Sequence, residues 1–223
     1  MGEYCIRSYE DGDYEAARTI VSEGITEHVP AGFWHVLRSP QTHGLLLVLF
    51  LATYGISSSF LLSFAVVSAL LVVGWVHVKA VWRDYVEEAL EGDMLDIQRT
   101  YLDTTDCHFW VVVRGREVVG TVAAVHPRDP TFQGRALELK RMSVKKEHRG
   151  RGLSKALMKA VLSFAQERGY KEVVLGTSSV QYAAQRLYEN MGFQRVNAFF
   201  PFPSAKLLQF YIYIYRCEIP EPH

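Results

Sequence analysis

A glycine-rich turn stands out in the second half of the chain, where residues 144–154 read VKKEHRGRGLS. A strand pattern ends where this stretch begins, and an amphipathic helical pattern starts at its other end. Gly150 and Gly152 permit backbone turns that point successive N–H groups into one concavity, where the helix dipole adds positive potential. With the charges of Arg149 and Arg151, the turn is typical of a pyrophosphate site, although an isolated turn of this kind is as often a solvated helix start.

A second motif follows downstream, where residues 184–193 read AQRLYENMGF. A strand ending in Val, then x-P-x-x-R-G-x-G, then A-x-x-L-Y-x-x-x-G-F is the pattern of the GCN5-related N-acetyltransferase superfamily, which the chain resembles over about half its length. Lys146 replaces the common proline of that pattern, and Glu147 replaces its frequent Gln or Arg. These departures affect one side-chain contact and leave the backbone turn intact.

The chain is more narrowly similar to the camello-like group of this superfamily. That group has the sequence ELKRMSV before the turn, which residues 138–144 match, and a hydrophobic segment inserted after the first helix. Its members include cysteine-S-conjugate N-acetyltransferases of the endoplasmic reticulum, proposed lysine acetyltransferases of that compartment, and the aspartate N-acetyltransferase. The resemblance implies an α/β fold, with a mixed central sheet flanked by helices and an inserted hydrophobic membrane hairpin.

The patterns along the chain agree with such a sheet. They predict a strand and a helix, the apolar segment, another helix over residues 93–102, three strands, a helix, a strand, a helix and two strands. In the helix after the glycine turn, one apolar stripe runs from Leu153 to Ala165. This order is typical of a mixed sheet with helices packed on it.

The resemblance also implies the acetyl donor, which is acetyl-CoA, and it implies no metal. The strand before the turn is expected to pair with the pantetheine arm like an added strand, and the turn to bind the pyrophosphate. The expected cofactor-binding residues are Met142, Ser143, Val144, Arg149, Gly150, Arg151, Gly152, Leu153 and Ser154.

Acetyl transfer to an amine needs a base for the amine and an acid for the leaving thiolate. Tyr188 is the expected acid, since a phenol with a pKa near ~10 is protonated at neutral pH; the alternative is a core tyrosine packed on the sheet. Glu138 is the expected base, acting directly or through water. The alternative is that Glu138 only forms an ion pair with Lys140 or Arg141.

Three residues are expected to contact the acceptor. Arg141 has the planar fork that binds a carboxylate with two hydrogen bonds, unless it forms a purely structural pair. Phe200 and Phe202 belong to an aromatic loop over residues 199–203, in a region that borders the acceptor site in this superfamily. The loop is read in three ways: it receives an apolar substituent, it rests on a membrane, or it is ordinary core.

An uncharged apolar segment interrupts the first half of the chain. No Lys, Arg, Asp or Glu occurs from Ser39 to Val78. Its apolar run exceeds the ~20 residues of one membrane span, and a turn-like GISSS sequence at residues 55–59 predicts two short helices, roughly over residues 45–54 and 60–76. The resulting domain hypothesis is residues 1–43 for the first strand and helix, 44–78 for a membrane-embedded hairpin, and 79–223 for the remaining domain with the acetyl-CoA site.

A hairpin would return the chain to one side of the membrane, where both parts of the sheet can meet. Arg38, Lys79 and Arg83 flank the segment and favour a cytosolic catalytic domain. The resemblance places the protein in the endoplasmic reticulum membrane.

Overall composition excludes several classes of protein. Lys and Arg total 24, as do Asp and Glu, so a net charge of zero argues against a protein that coats nucleic acid. The 49% of hydrophobic residues excludes wholesale disorder. Cys5, Cys107 and Cys217 are odd in number and far apart, and they predict neither a disulfide framework nor a zinc site.

The functional hypothesis is a membrane-anchored N-acetyltransferase that acts on the α-amine of cysteine S-conjugates and forms mercapturates. Protein lysine is the second acceptor, and aspartate ranks lower because it needs a second carboxylate site that the sequence does not identify. The partners are therefore a small amine or a protein lysine, together with membrane lipid. The non-enzyme alternative is a membrane-shaping or adaptor protein whose hairpin is the functional part.

Overall fold

A computed structural model describes residues 3–202, 205–206 and 208–220. Among these residues, 4–91 form one strand and four α-helices, and the part from residue 108 onward forms six strands and two α-helices. The elements are β1 (Tyr4–Ser8), α1 (Tyr14–Thr26), α2 (Val29–Arg38), α3 (Pro40–Ser57), α4 (Phe60–Glu91), β2 (His108–Arg114), β3 (Glu117–Val125), β4 (Ala136–Val144), α5 (Leu153–Glu167), β5 (Glu172–Ser178), α6 (Tyr182–Asn190), β6 (Gln194–Phe199) and β7 (Ile212–Glu218).

The seven strands form one mixed sheet in the order β1-β2-β3-β4-β5-β7-β6. Strands β4 and β5 pair in parallel, and every other neighbouring pair is antiparallel. The predicted mixed α/β sheet is thereby confirmed. Strand β1, which precedes the apolar helices, pairs with β2, which follows them, so both parts of the chain complete one sheet.

Two apolar clusters cover the two faces of the sheet. On one face, α5 buries Leu157, Val161 and Ala165 against the strands, as the predicted stripe requires. On the other face, α1 packs together with the segment after α4, which buries Met94 and Ile97. That segment is a π-helix at Gln98–Leu102 preceded by turns, and the longer helix predicted over residues 93–102 does not form.

A β-bulge bends β4 in its second half. Lys140 lies opposite Ala123 and Ser143 lies opposite Thr121, so one extra residue is accommodated in β4 between these pairs. Arg141, inside the bulge, has a left-handed backbone with φ of +54°.

Helix α1 lies unusually close to β4. The Ser143 hydroxyl donates to the Ile20 carbonyl at 3.0 Å. A Cβ added at Gly24 would lie 2.2 Å from Ser143 Oγ, so only glycine fits there without displacing the serine. The close approach therefore depends on Gly24.

Helices α3 and α4 are joined by Ser58 and Ser59 and pack on each other through Phe50, Tyr54 and Phe60. Both are longer than the predicted helices, and α2 was not predicted at all. By length and composition, α4 can cross a membrane, and most of its apolar stretch is exposed. Exposed apolar side chains along the two helices include Leu45, Leu47, Val48, Leu51, Ile56, Leu61, Phe64, Val72, Val73 and Val76.

We expect Gly24→Ala to lower the free energy of unfolding by about 1–2 kcal/mol, because the new methyl group overpacks against Ser143. The better helix propensity of Ala opposes this loss. Adding Ser143→Ala should recover part of the loss, since the crowding oxygen is then absent. Urea unfolding of the detergent-solubilised protein measures the effect, with Gly12→Ala as the control because no atom lies within 4 Å of its added Cβ. Equal losses at both glycines would refute the close-contact explanation.

Candidate active site

The sheet opens into a wedge between β4 and β5. These strands pair only through Ala136 with Glu172, Leu137 with Val173, and Glu138 with Val174. Beyond this point β4 continues beside β3 and β5 continues beside β7, but the two strands no longer pair with each other. Their facing backbone edges can therefore accept an extended arm as an added strand.

The glycine turn lies at the end of β4 and leads into α5. Gly150 and Gly152 have left-handed backbones, with φ of +73° and +79°. Within the described chain, the six consecutive N–H groups from Gly150 to Lys155 donate to no other group, and the first helical bond runs from Ala156 to the Gly152 carbonyl. Unpaired N–H groups at a helix N-terminus form an anion site, and the turn fits a pyrophosphate.

The two arginines of the turn differ in their surroundings. Arg149 donates from Nη2 to Glu27 Oε2 at 2.9 Å and from Nε to the Val144 carbonyl at 2.8 Å, so it joins the turn to the end of α1. Arg151 lies over the Tyr4 ring, 6.0 Å from its centroid. A direct phosphate contact from either arginine stays a prediction.

Tyr188 lies on α6 in the core between the sheet and the helices. Its ring packs near Phe193 and Tyr215, with centroids 6.1 and 5.9 Å away. Burial, and to a smaller extent Tyr215, raise the pKa of Tyr188. Its hydroxyl donates to no group in the described chain, and its oxygen is not fully enclosed. The residue is therefore a core tyrosine that also stays protonated and free to donate.

Glu138 occupies the last paired position of β4, at the apex of the wedge. Burial raises the pKa of this half-buried carboxyl, while the nearby charges of Lys140, Arg128 and Arg141 partly oppose the shift. A carboxylate with a raised pKa is better matched to proton abstraction near neutral pH than an ordinary one.

Arg141 is already engaged by an acid that the sequence analysis did not single out. Its guanidinium donates to both oxygens of Asp93, with 2.9 Å between Nε and Oδ2, and the Tyr101 hydroxyl donates to the same carboxylate. The predicted role in binding an acceptor carboxylate would have to use the remaining N–H groups of Arg141, and it stays a prediction. Nothing local in the sequence links Asp93 to Arg141, which lie 48 positions apart.

The two phenylalanines predicted to contact the acceptor differ in burial: Phe200 is exposed and Phe202 is partly buried. Phe200 is exposed and lies 4.6 Å from the Tyr211 ring. Phe202 stacks on Phe210 with 6.2 Å between centroids, and Pro203 lies outside the described residues. Phe202 and Phe210 line an apolar pocket together with Gly32, Val36, His77, Val78, Val81, Trp82 and Leu208.

This apolar pocket lies close to the open end of the wedge. Trp82 belongs both to the pocket lining and to a buried cluster with Val29 and Val180. Val180 follows β5 by two residues, and Ser179 donates its N–H to the Tyr211 carbonyl at 2.8 Å. The pocket, the end of β5 and the aromatic loop therefore form one connected region.

We expect Gly152→Ala to weaken acetyl-CoA binding by about tenfold, because a Cβ at positive φ shifts the turn and moves its N–H groups. Gly169→Ala is the matched control: Gly169 follows α5, has φ of +77°, and has equally open space around its added Cβ. Both variants should lose similar thermal stability, but only Gly152→Ala should change affinity in calorimetric titration. Equal affinity in the two variants would argue against a pyrophosphate site at the turn.

Comparisons with known proteins agree with this geometry. Residues 75–193 match the model of the acetyltransferase (GNAT) family. Human N-acetyltransferase 8B is 39% identical over 220 residues, which cover 99% of this chain and 97% of the relative. Mouse N-acetyltransferase family 8 member 3 is 42% identical over 200 residues, covering 90% and 88% of the two chains.

The fold is also similar to a solved structure. A GNAT-family acetyltransferase from Staphylococcus aureus Mu50 aligns with a TM-score of 0.59 and 16% identity, covering 98% of this chain and 100% of the other. At that identity the likeness concerns the fold alone.

Proposed function

The chain belongs to the GNAT family of acetyltransferases, and we propose that it acetylates the α-amine of cysteine S-conjugates. As a family member it is an acetyl-CoA-dependent N-acetyltransferase. The observation that carries the acceptor assignment is the apolar pocket beside the wedge, lined by Trp82, Phe202 and Phe210. A cysteine S-conjugate carries an amine, which would be acetylated in the wedge, and an apolar substituent, which would bind in the adjacent apolar pocket.

The residues of the wedge have complementary roles in holding the acetyl donor. The N–H groups of Gly150 to Ser154 bind the pyrophosphate, and Met142, Ser143 and Val144 pair with the pantetheine arm along the free edge of β4. Acetyl-CoA supplies the thioester whose acetyl group is transferred. The unpaired turn amides and the short β4–β5 pairing support this arrangement.

Two side chains move the protons of the reaction. Glu138 takes a proton from the acceptor ammonium, directly or through water, so that the amine nitrogen can form a bond to the thioester carbonyl carbon. Tyr188 donates its proton to the coenzyme A sulfur as the carbon–sulfur bond breaks, and the second proton lost by the amine nitrogen passes through water to the tyrosinate, which restores the phenol. The raised pKa of Glu138 suits proton uptake, and the raised pKa of Tyr188 keeps its phenol protonated until the thiolate leaves.

The apolar helices support a membrane anchor, and the resemblance to the camello-like group is the ground for proposing the endoplasmic reticulum. Helix α4 has the length and composition to cross the ~30 Å hydrocarbon core, and the 18-residue α3 packs beside it. In the proposed hairpin, α4 returns beside α3, so the chain enters and leaves on one face of the membrane, where Arg38, Lys79 and Arg83 favour the cytosol. The catalytic domain is therefore cytosolic, and an apolar acceptor can partition near the site.

Protein lysine is the second candidate acceptor, because the same two proton transfers and the same acetyl-CoA site would allow acetylation of any amine. Aspartate ranks below both, because it needs a site for a second carboxylate, whereas the pocket beside the wedge is lined mainly by apolar side chains.

The acceptor is tested by release of free coenzyme A from the detergent-purified protein supplied with acetyl-CoA and S-benzyl-L-cysteine. We expect turnover that saturates with the conjugate and exceeds turnover with a lysine peptide or with aspartate. Turnover with the lysine peptide alone would keep the donor site and overturn the acceptor assignment.

We expect Tyr188→Phe to lower kcat by about 10²-fold, because the leaving thiolate loses its proton donor. Tyr215→Phe is the control, since Tyr215 is buried beside Tyr188 but donates its hydroxyl to Glu189 at 2.8 Å. Steady-state kinetics at saturating acetyl-CoA measure both variants. Equal rates for Tyr188→Phe and wild type would remove Tyr188 from the mechanism.

We expect the pH profile of kcat/KM to fall on its acidic side as Glu138 becomes protonated. Because the pKa of Glu138 is raised, this fall begins at a higher pH than the ordinary Glu value of about 4.3 would give. Glu138→Gln should abolish that limb and lower the rate by about 10²-fold or more. Glu117→Gln, an exposed residue paired with Lys145, serves as the control. An unchanged acidic limb in Glu138→Gln would show that another group is the base.

A further inference from the structure

The backbone of Arg141 adopts a conformation that needs support from its surroundings. Its φ of +54° is uncommon for a residue other than glycine. Such a backbone conformation persists where contacts with the surrounding structure hold it in place. The Thr121 hydroxyl donates to the Arg141 carbonyl at 2.8 Å, which holds the backbone of the bulge from the side of β3.

The side chain of Arg141 is held by a second, buried set of contacts. Asp93 accepts two hydrogen bonds from the guanidinium and one from Tyr101. The side chains of Arg141 and Asp93 are only 8% and 15% exposed. A bidentate pair fixes the orientation of a guanidinium as well as its position. Moving the Arg141 side chain away would therefore leave the buried Asp93 carboxylate without its charge partner, which is destabilising.

Asp93 is itself fixed by the end of helix α4. Arg18 of α1 donates to the Leu90 and Met94 carbonyls, both at 2.6 Å. A Cβ at Gly92 would lie 2.6 Å from the Glu88 carbonyl oxygen, so the turn before Asp93 requires glycine. These contacts give the carboxylate a defined place relative to the sheet.

Helix α4 also reaches Arg141 directly. The Tyr85 ring lies 6.0 Å from the guanidinium carbon, within the range of a cation–π contact. The end of the long apolar helix thus touches the bulge through Tyr85 and Asp93.

We propose that Asp93 is a positioning residue for the acetyl donor, acting through Arg141 on the bulge of β4. Met142, Ser143 and Val144 follow the bulge directly, so its shape sets where their backbone groups face the wedge. The inference rests on the proposed pairing of these residues with the pantetheine arm. In this proposal, the Asp93–Arg141 pair increases the affinity for acetyl-CoA, and it neither binds the acceptor nor acts on stability alone.

The test compares Asp93→Asn with Asp13→Asn. Asp13 is a matched control, since Arg7 contacts its two carboxylate oxygens at 2.6 and 2.9 Å and its side chain is 8% exposed. This second pair lies beside β1 at the edge of the sheet, three strands from β4. Calorimetric titration gives the acetyl-CoA dissociation constant, thermal unfolding gives stability, and steady-state kinetics give the acceptor KM.

We expect Asp93→Asn to weaken acetyl-CoA binding at least about tenfold, while Asp13→Asn changes it by less than about twofold at a similar loss of thermal stability. Arg141→Lys should also weaken binding, because an ammonium cannot replace the two-pronged contact. Where Asp93→Asn does not fold, Tyr101→Phe removes one donor from Asp93 and should weaken binding by about two- to fivefold.

Equal acetyl-CoA affinity in the Asp93 and Asp13 variants would overturn the proposal and leave a purely stabilising pair. A rise in acceptor KM with unchanged acetyl-CoA affinity would also overturn it, in favour of a carboxylate site at Arg141. Donor affinity is measured without any acceptor, so these results are separate from success or failure of the cysteine S-conjugate assignment.

Discussion

Parallel pairing between β4 and β5 ends after three residue pairs, and the candidate site depends on that ending. Were the two strands paired to their ends, the backbone groups at the centre of the sheet would satisfy each other. Because they separate, one edge of β4 stays free next to a helix N-terminus. The hydrophobic clusters on both faces of the sheet pack against the separated strands.

Several otherwise unrelated features meet at this wedge. The glycine turn supplies unpaired N–H groups at the open end of the wedge, Glu138 lies at its apex, and Tyr188 belongs to α6 and is buried in the core. The apolar helices also contribute, because Trp82 of α4 lines the pocket near the end of β5 and Asp93 follows α4 to reach Arg141. The proposed anchor and the proposed catalytic centre therefore share a helix.

The features that could be predicted from the sequence are those with local signals. The RGRG turn, the stripe of α5 and the motif around Tyr188 each lie within one short stretch: the residue pattern located the first two, and the family resemblance located the third. The partner of Arg141 could not be predicted, because Asp93 approaches it only through tertiary packing across 48 positions. The end of α4 was missed for a related reason: the apolar pattern stops near Val78, but the helix continues through a charged segment to Glu91.

The most direct measurement is hydrogen–deuterium exchange of the amides from Gly150 to Lys155, with and without acetyl-CoA. These amides have no partner in the described chain, so they should exchange rapidly in the free protein. Binding of the pyrophosphate at the turn predicts strong protection of this stretch together with Met142 to Val144. Saturating acetyl-CoA that leaves these amides unprotected, while protecting another part of the chain, would contradict the account.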